Sequence, residues 1–168
     1  MKLNTLQDLF VHGLQDLYSA EQQLVEALPQ MISAASADEL RTALQEHLEQ
    51  TRGHVSRLED LLPLVGAAGA AEKCEGMEGL LREGQKVISG QGDPMVKDAA
   101  LIEAAQKVEH YEIAGYGTAA TLADILDLDD AQDILGQILE EEETADKLLT
   151  KIATGGMFRA GVNERAPS

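Results

Sequence analysis

Apolar residues recur every three or four positions through four long stretches of the chain, the 3.6-residue period of amphipathic helices. The first stripe runs through Leu6, Phe10, Leu17, Leu24 and Leu28, and the second through Leu40, Leu44, Leu58 and Leu61. The third takes in Leu101, Ala105, Val108, Tyr116 and Ala119, and the fourth Leu135, Ile138, Ala145 and Leu149. Capping signals bound these stretches. Thr5, with Asp8 three residues on, opens the first, and "SADE" (Ser36 to Glu39) reads as a capping box for the second. Asp93 followed by Pro94 opens the third, Asp as N-cap and Pro at the first helical position, where its missing N–H costs nothing. The acidic turn "LDLDDAQ" starts the fourth near Asp129, and Gly155 with Gly156 ends it. The predicted helices cover about 5–34, 37–65, 94–126 and 130–154. Pro29, late in the first, is expected to kink or end it.

A few residues separate the first helix from the second, and the third from the fourth, so each pair should be an antiparallel hairpin. Residues 66–93 join the pairs and contain the Gly/Ala-rich "GAAGAA" and a short candidate helix, "EGMEGLLREGQKVI". The predicted class is all-α: a ferritin-like four-helix bundle, two antiparallel helix hairpins joined by a long crossover carrying a short helix. Residues 1–156 are expected to form this single domain, and residues 157–168, which have no periodicity, a mobile tail.

Charge narrows the partners. The 168 residues include 30 acidic and 13 basic side chains, a formal net charge of −17 that repels phosphate backbones and anionic lipid surfaces and attracts cations. Neither nucleic acid nor a membrane is expected as a partner; metal ions are. The single cysteine, Cys74, permits no internal disulfide, and its burial is favoured over redox chemistry. The opening "MKLNTLQDLF" has no apolar signal region and no run approaches the ~18 apolar residues of a membrane span, so a cytoplasmic location is expected. Neither a phosphate-binding glycine loop before a helix nor a nucleophilic serine motif is present, which removes nucleotide and hydrolase readings.

The stripes carry polar residues where a core should be apolar. Glu21 falls four residues after Leu17 and three before Leu24; His47, Thr51 and His54 lie on the second stripe, with Gln50 one turn before His54. Glu109 and Glu112 share the inward face of the third helix, and Glu142 that of the fourth, with Asp146 at i+4. Taken singly, each acid reads most simply as the edge of a stripe with its carboxylate in water. Taken together, every helix points an acid or a histidine inward. Burying an unpaired carboxylate costs several kcal/mol, and the stripes hold no Lys or Arg, although Lys107 or Arg57 could reach in from the flanks. A bound divalent metal would neutralise several acids at once, and carboxylate with imidazole is a ligand set for iron, manganese or zinc. Of the histidines, His54 is the best ligand candidate; His47 serves equally as a hydrogen-bonded core residue, and His12 and His110 suit the surface or a supporting shell. "LEEEETADKLL" reads as a solvated acidic face from which only Glu142 and Asp146 project inward. Asp16 lies roughly 140° around the helix from Glu21, so the two do not serve one site. Gly115 and Gly117 mark places where a neighbouring helix is expected to approach closely.

The stretches "QDLYSAEQQL", "HLEQTRGHVSRLE", "KCEGMEGL", "AQKVEHYEIAGYGT" and "LEEEETADKLLT" together resemble the YciE/YciF family of ferritin-like bacterial proteins, over nearly the whole chain. The resemblance implies a di-iron type of site and an association with stress response. A more distant likeness is to rubrerythrin: "AEQQ" puts Glu21 at the ligand position of the first helix, "GHVSRL" puts His54 at that of the second, and "EHYE" supplies Glu109 and Glu112. The Glu-x-x-His pattern of the fourth helix is replaced by Glu142, Ala145 and Asp146, and Thr51, beside Gln50, stands where the second helix would carry a Glu. The expected ligand set is thus Glu21, Gln50, His54, Glu109, Glu112, Glu142 and Asp146, holding iron, two ions, or else manganese or zinc. The reaction implied is oxidation of Fe(II) by dioxygen or peroxide, with Tyr111 or Tyr116 near the metals and the chain forming a homodimer. The competing expectation is a non-enzymatic bundle that acts through its surface with no functional metal site.

Overall fold

The computed structural model describes residues 3–67, 72–156 and 159–168; part of the "GAAGAA" run therefore lies outside the described residues. Five helices of three turns or more follow one another: α1 (Leu6–Ala34), α2 (Asp38–Leu64), α3 (Glu75–Ser89), α4 (Pro94–Ile125) and α5 (Asp129–Thr154). A two-residue hairpin, β1 (Gly155–Gly156) with β2 (Arg159–Ala160), and a single helical turn, α6 (Val162–Arg165), complete the chain. α1 packs chiefly on α2 and α4 on α5; α1 with α4 and α2 with α5 close the four-helix bundle, and α3, in the crossover, lies on α1 and α4.

Local chemistry sets most of the ends. Thr5 and Asp8 form the reciprocal capping box of α1, and Asp93 accepts from the backbone N–H groups of Met95 and Val96 at the start of α4. α5 stops at Gly155, whose positive φ of 73° a side chain would oppose. One expectation fails at the start of α2. The "SADE" box is not formed: α2 begins at Asp38 after Ala37, without a side-chain cap. The two N–H groups just ahead of the helix are instead met from across the bundle by the fully buried carboxylate of Asp98 on α4, 2.9 Å from Ser36 N and 2.6 Å from Ala37 N. A carboxylate there suits the positive end of the helix and fixes the chain entering it, while Glu39, the other half of the expected box, binds Arg159 and Arg165. Pro29 does not end α1, which runs on to Ala34 with Leu28 and Met31 buried on either side of it. Residues 159–165, read as part of a mobile tail, instead lie on the bundle: Val162 is fully buried where α6 meets α4 and α5. Periodicity carries no information over so short a segment.

The apolar interior is in two parts. One is built on Leu24, Leu28, Leu44, Met77, Leu101 and Leu149, the other on Phe10, Leu14, Leu58, Leu61, Tyr116 and Leu135. Along each long helix the changeover falls at the inward polar residues, so a polar layer crosses the bundle between two greasy halves. Gly115 behaves as expected, since a Cβ there would meet Leu17 Cδ2 at 2.7 Å; Gly117 does not, having nothing within 4 Å.

Candidate metal centre

Helical phase delivers the layer. Glu21 from α1, His47 and His54 from α2, Glu109 and Glu112 from α4 and Glu142 from α5 all point into the bundle, and none is more than 6% exposed. Seven residues separate His47 from His54, almost two full turns, which puts both rings on one face. Three residues separate Glu109 from Glu112, with the same effect. The side chains make two overlapping groups. His47, Glu109, Glu112 and Glu142 form one, and Glu21, His54 and Glu142 the other; within each group one ligand atom per residue lies within 4.8 Å of all the rest. Glu142 belongs to both.

His54 is the hinge of the polar network. Its Nδ1 is 3.1 Å from Glu21 Oε1 and 2.8 Å from Glu142 Oε1, and its Nε2 is 2.8 Å from Glu141 Oε2. The same Glu141 oxygen accepts from Arg57, and Tyr116 donates its hydroxyl proton to Glu21 Oε1. His47 Nε2 stands 3.3 Å from Glu109 Oε1 and 4.0 Å from Glu142 Oε2. Proximity here exceeds alignment. Glu21 Oε2, Glu109 Oε2, both oxygens of Glu112 and Glu142, and both nitrogens of His47 are buried without a directed hydrogen bond. Native interiors rarely leave such atoms orphaned.

The electrostatics divide the acids. Burial, and then the charge of Glu142, raises the pKa of Glu109 well above the ordinary carboxylate value; burial and the charges of Glu21, Glu142 and Glu109 do the same to Glu112. Glu21 is raised chiefly by burial, against the pull of His54. For Glu142 burial also opposes ionisation, but His54 and His47 outweigh it and hold the pKa low. His54 itself is disfavoured as a cation by burial, yet its bonds to Glu142 and Glu21 push it up to about 10, whereas burial lowers His47. Without metal the layer therefore favours an imidazolium at His54 against Glu142, and disfavours ionisation of Glu109 and Glu112.

The donors fit a metal. Four carboxylates and two imidazoles, mostly unsatisfied and gathered in two groups each within 4.8 Å, are hard oxygen and borderline nitrogen ligands of the kind that hold iron, manganese or zinc. Glu141 bonded to Nε2 leaves Nδ1 of His54 facing inward, the usual arrangement of a carboxylate behind a ligand imidazole.

Five residues of the sequence-predicted set, Glu21, His54, Glu109, Glu112 and Glu142, are brought together. Two are not. Gln50 is exposed, its amide approaching the His47 ring from outside without a directed bond. Asp146 is half-buried one turn beyond Glu142, where it accepts from the Gln106 amide at 2.9 Å and lies 3.5 Å from the exposed His110. The placement adds His47 as a full member, and Glu141 as the support of His54, where sequence reading had assigned the latter to solvent. Of the two flanking cations, Arg57 reaches only Glu141, and Lys107 pairs with Glu103 and Glu83 outside the layer. Asp16 serves a different cluster, accepting from Tyr111 at 2.7 Å and from the buried Cys74 thiol at 3.2 Å.

Comparison with known proteins agrees in scale. Residues 5–166 match the family model described as Domain of unknown function (DUF892). Protein YciF of Escherichia coli strain K12 is 42% identical over 165 residues, covering 98% of this chain and 99% of that protein. The crystal structure of the E. coli stress protein YciF superposes with a TM-score of 0.86 at 45% identity, over 89% of this chain and 94% of that one. YcfI from Rhodopseudomonas palustris gives 0.86 at 39% identity, over 90% and 97%. Among the described residues no helix is long and apolar enough to cross a membrane.

Proposed function

The chain belongs to the DUF892 family, and from that premise we propose that it is a ferritin-like metal-binding protein whose polar layer holds two divalent ions, iron first among them. The observation that carries this reading is the buried quartet Glu21, Glu109, Glu112 and Glu142, most of whose oxygens lack a hydrogen bond and which, among the described residues, have only His54 as an internal cation. Glu21, His54 and Glu142 would hold one ion, and His47, Glu109, Glu112 and Glu142 the other. A pair of redox-active ions so held would supply electrons to dioxygen or peroxide. The residues around it bind and orient: Glu141 fixes the His54 ring, Tyr116 fixes Glu21, and the two apolar halves of the core keep bulk water away. The similarity to a stress protein fits removal of Fe(II) and oxidant together.

The test is anaerobic titration with Fe(II), followed by elemental analysis and by exposure to oxygen under an optical monitor. Two ions per chain are expected, and Glu142→Gln, which touches both groups, should retain neither. Absence of bound iron and of any metal-dependent change in the melting midpoint would overturn the proposal. That result would support a metal-free bundle acting through its surface, a reading that draws on the closed ion pairing of His54 with Glu21, Glu142 and Glu141.

A further inference from the structure

Two hollows reach the edge of the polar layer at His47 and Glu109. One, of about 30 Å³, lies beneath α3 and is walled by apolar side chains such as Leu24, Met31, Leu80 and Ile88. The other, of about 140 Å³, is a cleft between α2 and α5. Its walls include Ala145 and Leu148, its rim carries the exposed Glu46, Gln50 and Thr144, and its floor is His47 and Glu109.

We propose that the cleft between α2 and α5 is the port through which a divalent cation reaches the centre, with His47 on its floor as the first buried ligand. This rests on the metal-binding reading above. His47 is only 6% exposed, lines the cleft, and has neither ring nitrogen in a directed hydrogen bond; Glu109 Oε2, also on the floor, is likewise free. A hydrated ion surrenders its water only where other donors replace it. The cleft offers them in order: the Glu46 carboxylate and Gln50 amide at the rim, then His47, then Glu109 and, behind it, Glu142. The hollow under α3 offers apolar wall until His47 and Glu109 themselves, and it is too small for a partly hydrated ion. The net charge of −17 draws cations to the surface; Glu46 at the rim directs them to this face.

The experiment follows uptake of Co(II) by the full chain, by stopped-flow absorbance, with the final stoichiometry read at equilibrium. Ala145→Phe narrows the port and is expected to slow uptake on the order of tenfold, as gating geometry rather than affinity then sets the rate, with unchanged stoichiometry. Gly84→Ala, which trims the opposite hollow and meets only Met31 and Ala104 at ordinary contact distance, should leave the rate alone. Glu46→Lys, at an exposed position, should slow uptake about tenfold at low salt and lose the difference at high salt. An unchanged rate in Ala145→Phe and Glu46→Lys, or slowing in Gly84→Ala, overturns the port while leaving the metal centre intact. Failure of the unmodified chain to take up Co(II) overturns both.

Discussion

Replacing Glu112 by methionine should make the protein more stable and less able to bind metal. Glu112 is fully buried and neither of its oxygens has a hydrogen bond. Burial and three neighbouring carboxylates raise its pKa and disfavour its charge, and even the neutral acid has lost its bonds to water, at a cost of about 1–3 kcal/mol. Methionine follows the same unbranched path, fills irregular space and needs no partner. Recovering a central ~2 kcal/mol should raise the metal-free midpoint by about 4–8 °C, since each kcal/mol moves a chain of this size by about 2–4 °C. With metal the order reverses. An ion at a hundred times its dissociation constant adds about 2.7 kcal/mol to the native state. Two ions would therefore lift the unaltered chain by roughly 11–22 °C, and the variant, keeping only the group of Glu21, His54 and Glu142, by at most about half of that. Calorimetric melts at neutral pH, in chelator and then in excess Mn(II), read both effects. A metal-free variant that melts lower than the parent, or equal metal-induced shifts in the two, would refute the reasoning.

Metal binding should release protons, because Glu109, Glu112 and His54 all hold theirs more tightly than usual in the metal-free fold; calorimetry in buffers of different ionisation heat measures the number, and affinity should rise with pH. The upward shifts make Glu21, Glu109 and Glu112 hold protons above the ordinary value of 4.5, and His54 from 6.5 to about 10, where the unfolded chain has released them; only the lowered His47 opposes this, below 6.5. The stability of the metal-free fold should accordingly fall as pH climbs from 4.5 towards about 10, a trend visible in urea midpoints. Asp98→Ala strips two charge-assisted bonds from the start of α2 and leaves a buried N–H unmet, so it should cost about 3–5 kcal/mol in denaturant unfolding, with Asp98→Asn in between. Gly117→Ala, open on all sides, should gain nearly 1 kcal/mol of helix propensity, and Gly115→Ala less, since Leu17 must first move.

Where a signal is local, sequence held it. The Thr5–Asp8 box, the Asp93–Pro94 start and the Gly155 stop are each decided within a few residues, and the helix spans follow from them. The anchor of the turn into α2 was not legible because its acceptor, Asp98, lies about sixty residues away, and a buried Asp in a helix looks from sequence like any other acid on a face. In the centre, Glu21, His54, Glu109, Glu112 and Glu142 were visible as acids and a histidine interrupting apolar stripes. His47 lay on the same stripe, two turns before His54, and that spacing was the available signal for grouping the two. Gln50 and Asp146 lie at the border of the inward face, Gln50 exposed beside His47 and Asp146 half-buried one turn beyond Glu142, an angular difference that periodicity over a long helix cannot resolve. Glu141 was hidden in an acidic run, where only three dimensions distinguish the one that reaches His54.

Glu142, common to both ligand groups, makes the two halves of the centre a coupled pair. An ion in either half fixes this carboxylate's rotamer and ionisation for the other, so each occupant changes its neighbour's affinity, and by thermodynamic reciprocity the two factors are equal. Binding isotherms should depart from two independent sites, and the departure should vanish in Glu112→Met, where one ion has no partner to sense. The halves also differ, three ligands against four and a cationic imidazole against a neutral one, so a mixture of two metals should sort itself into one preferred arrangement.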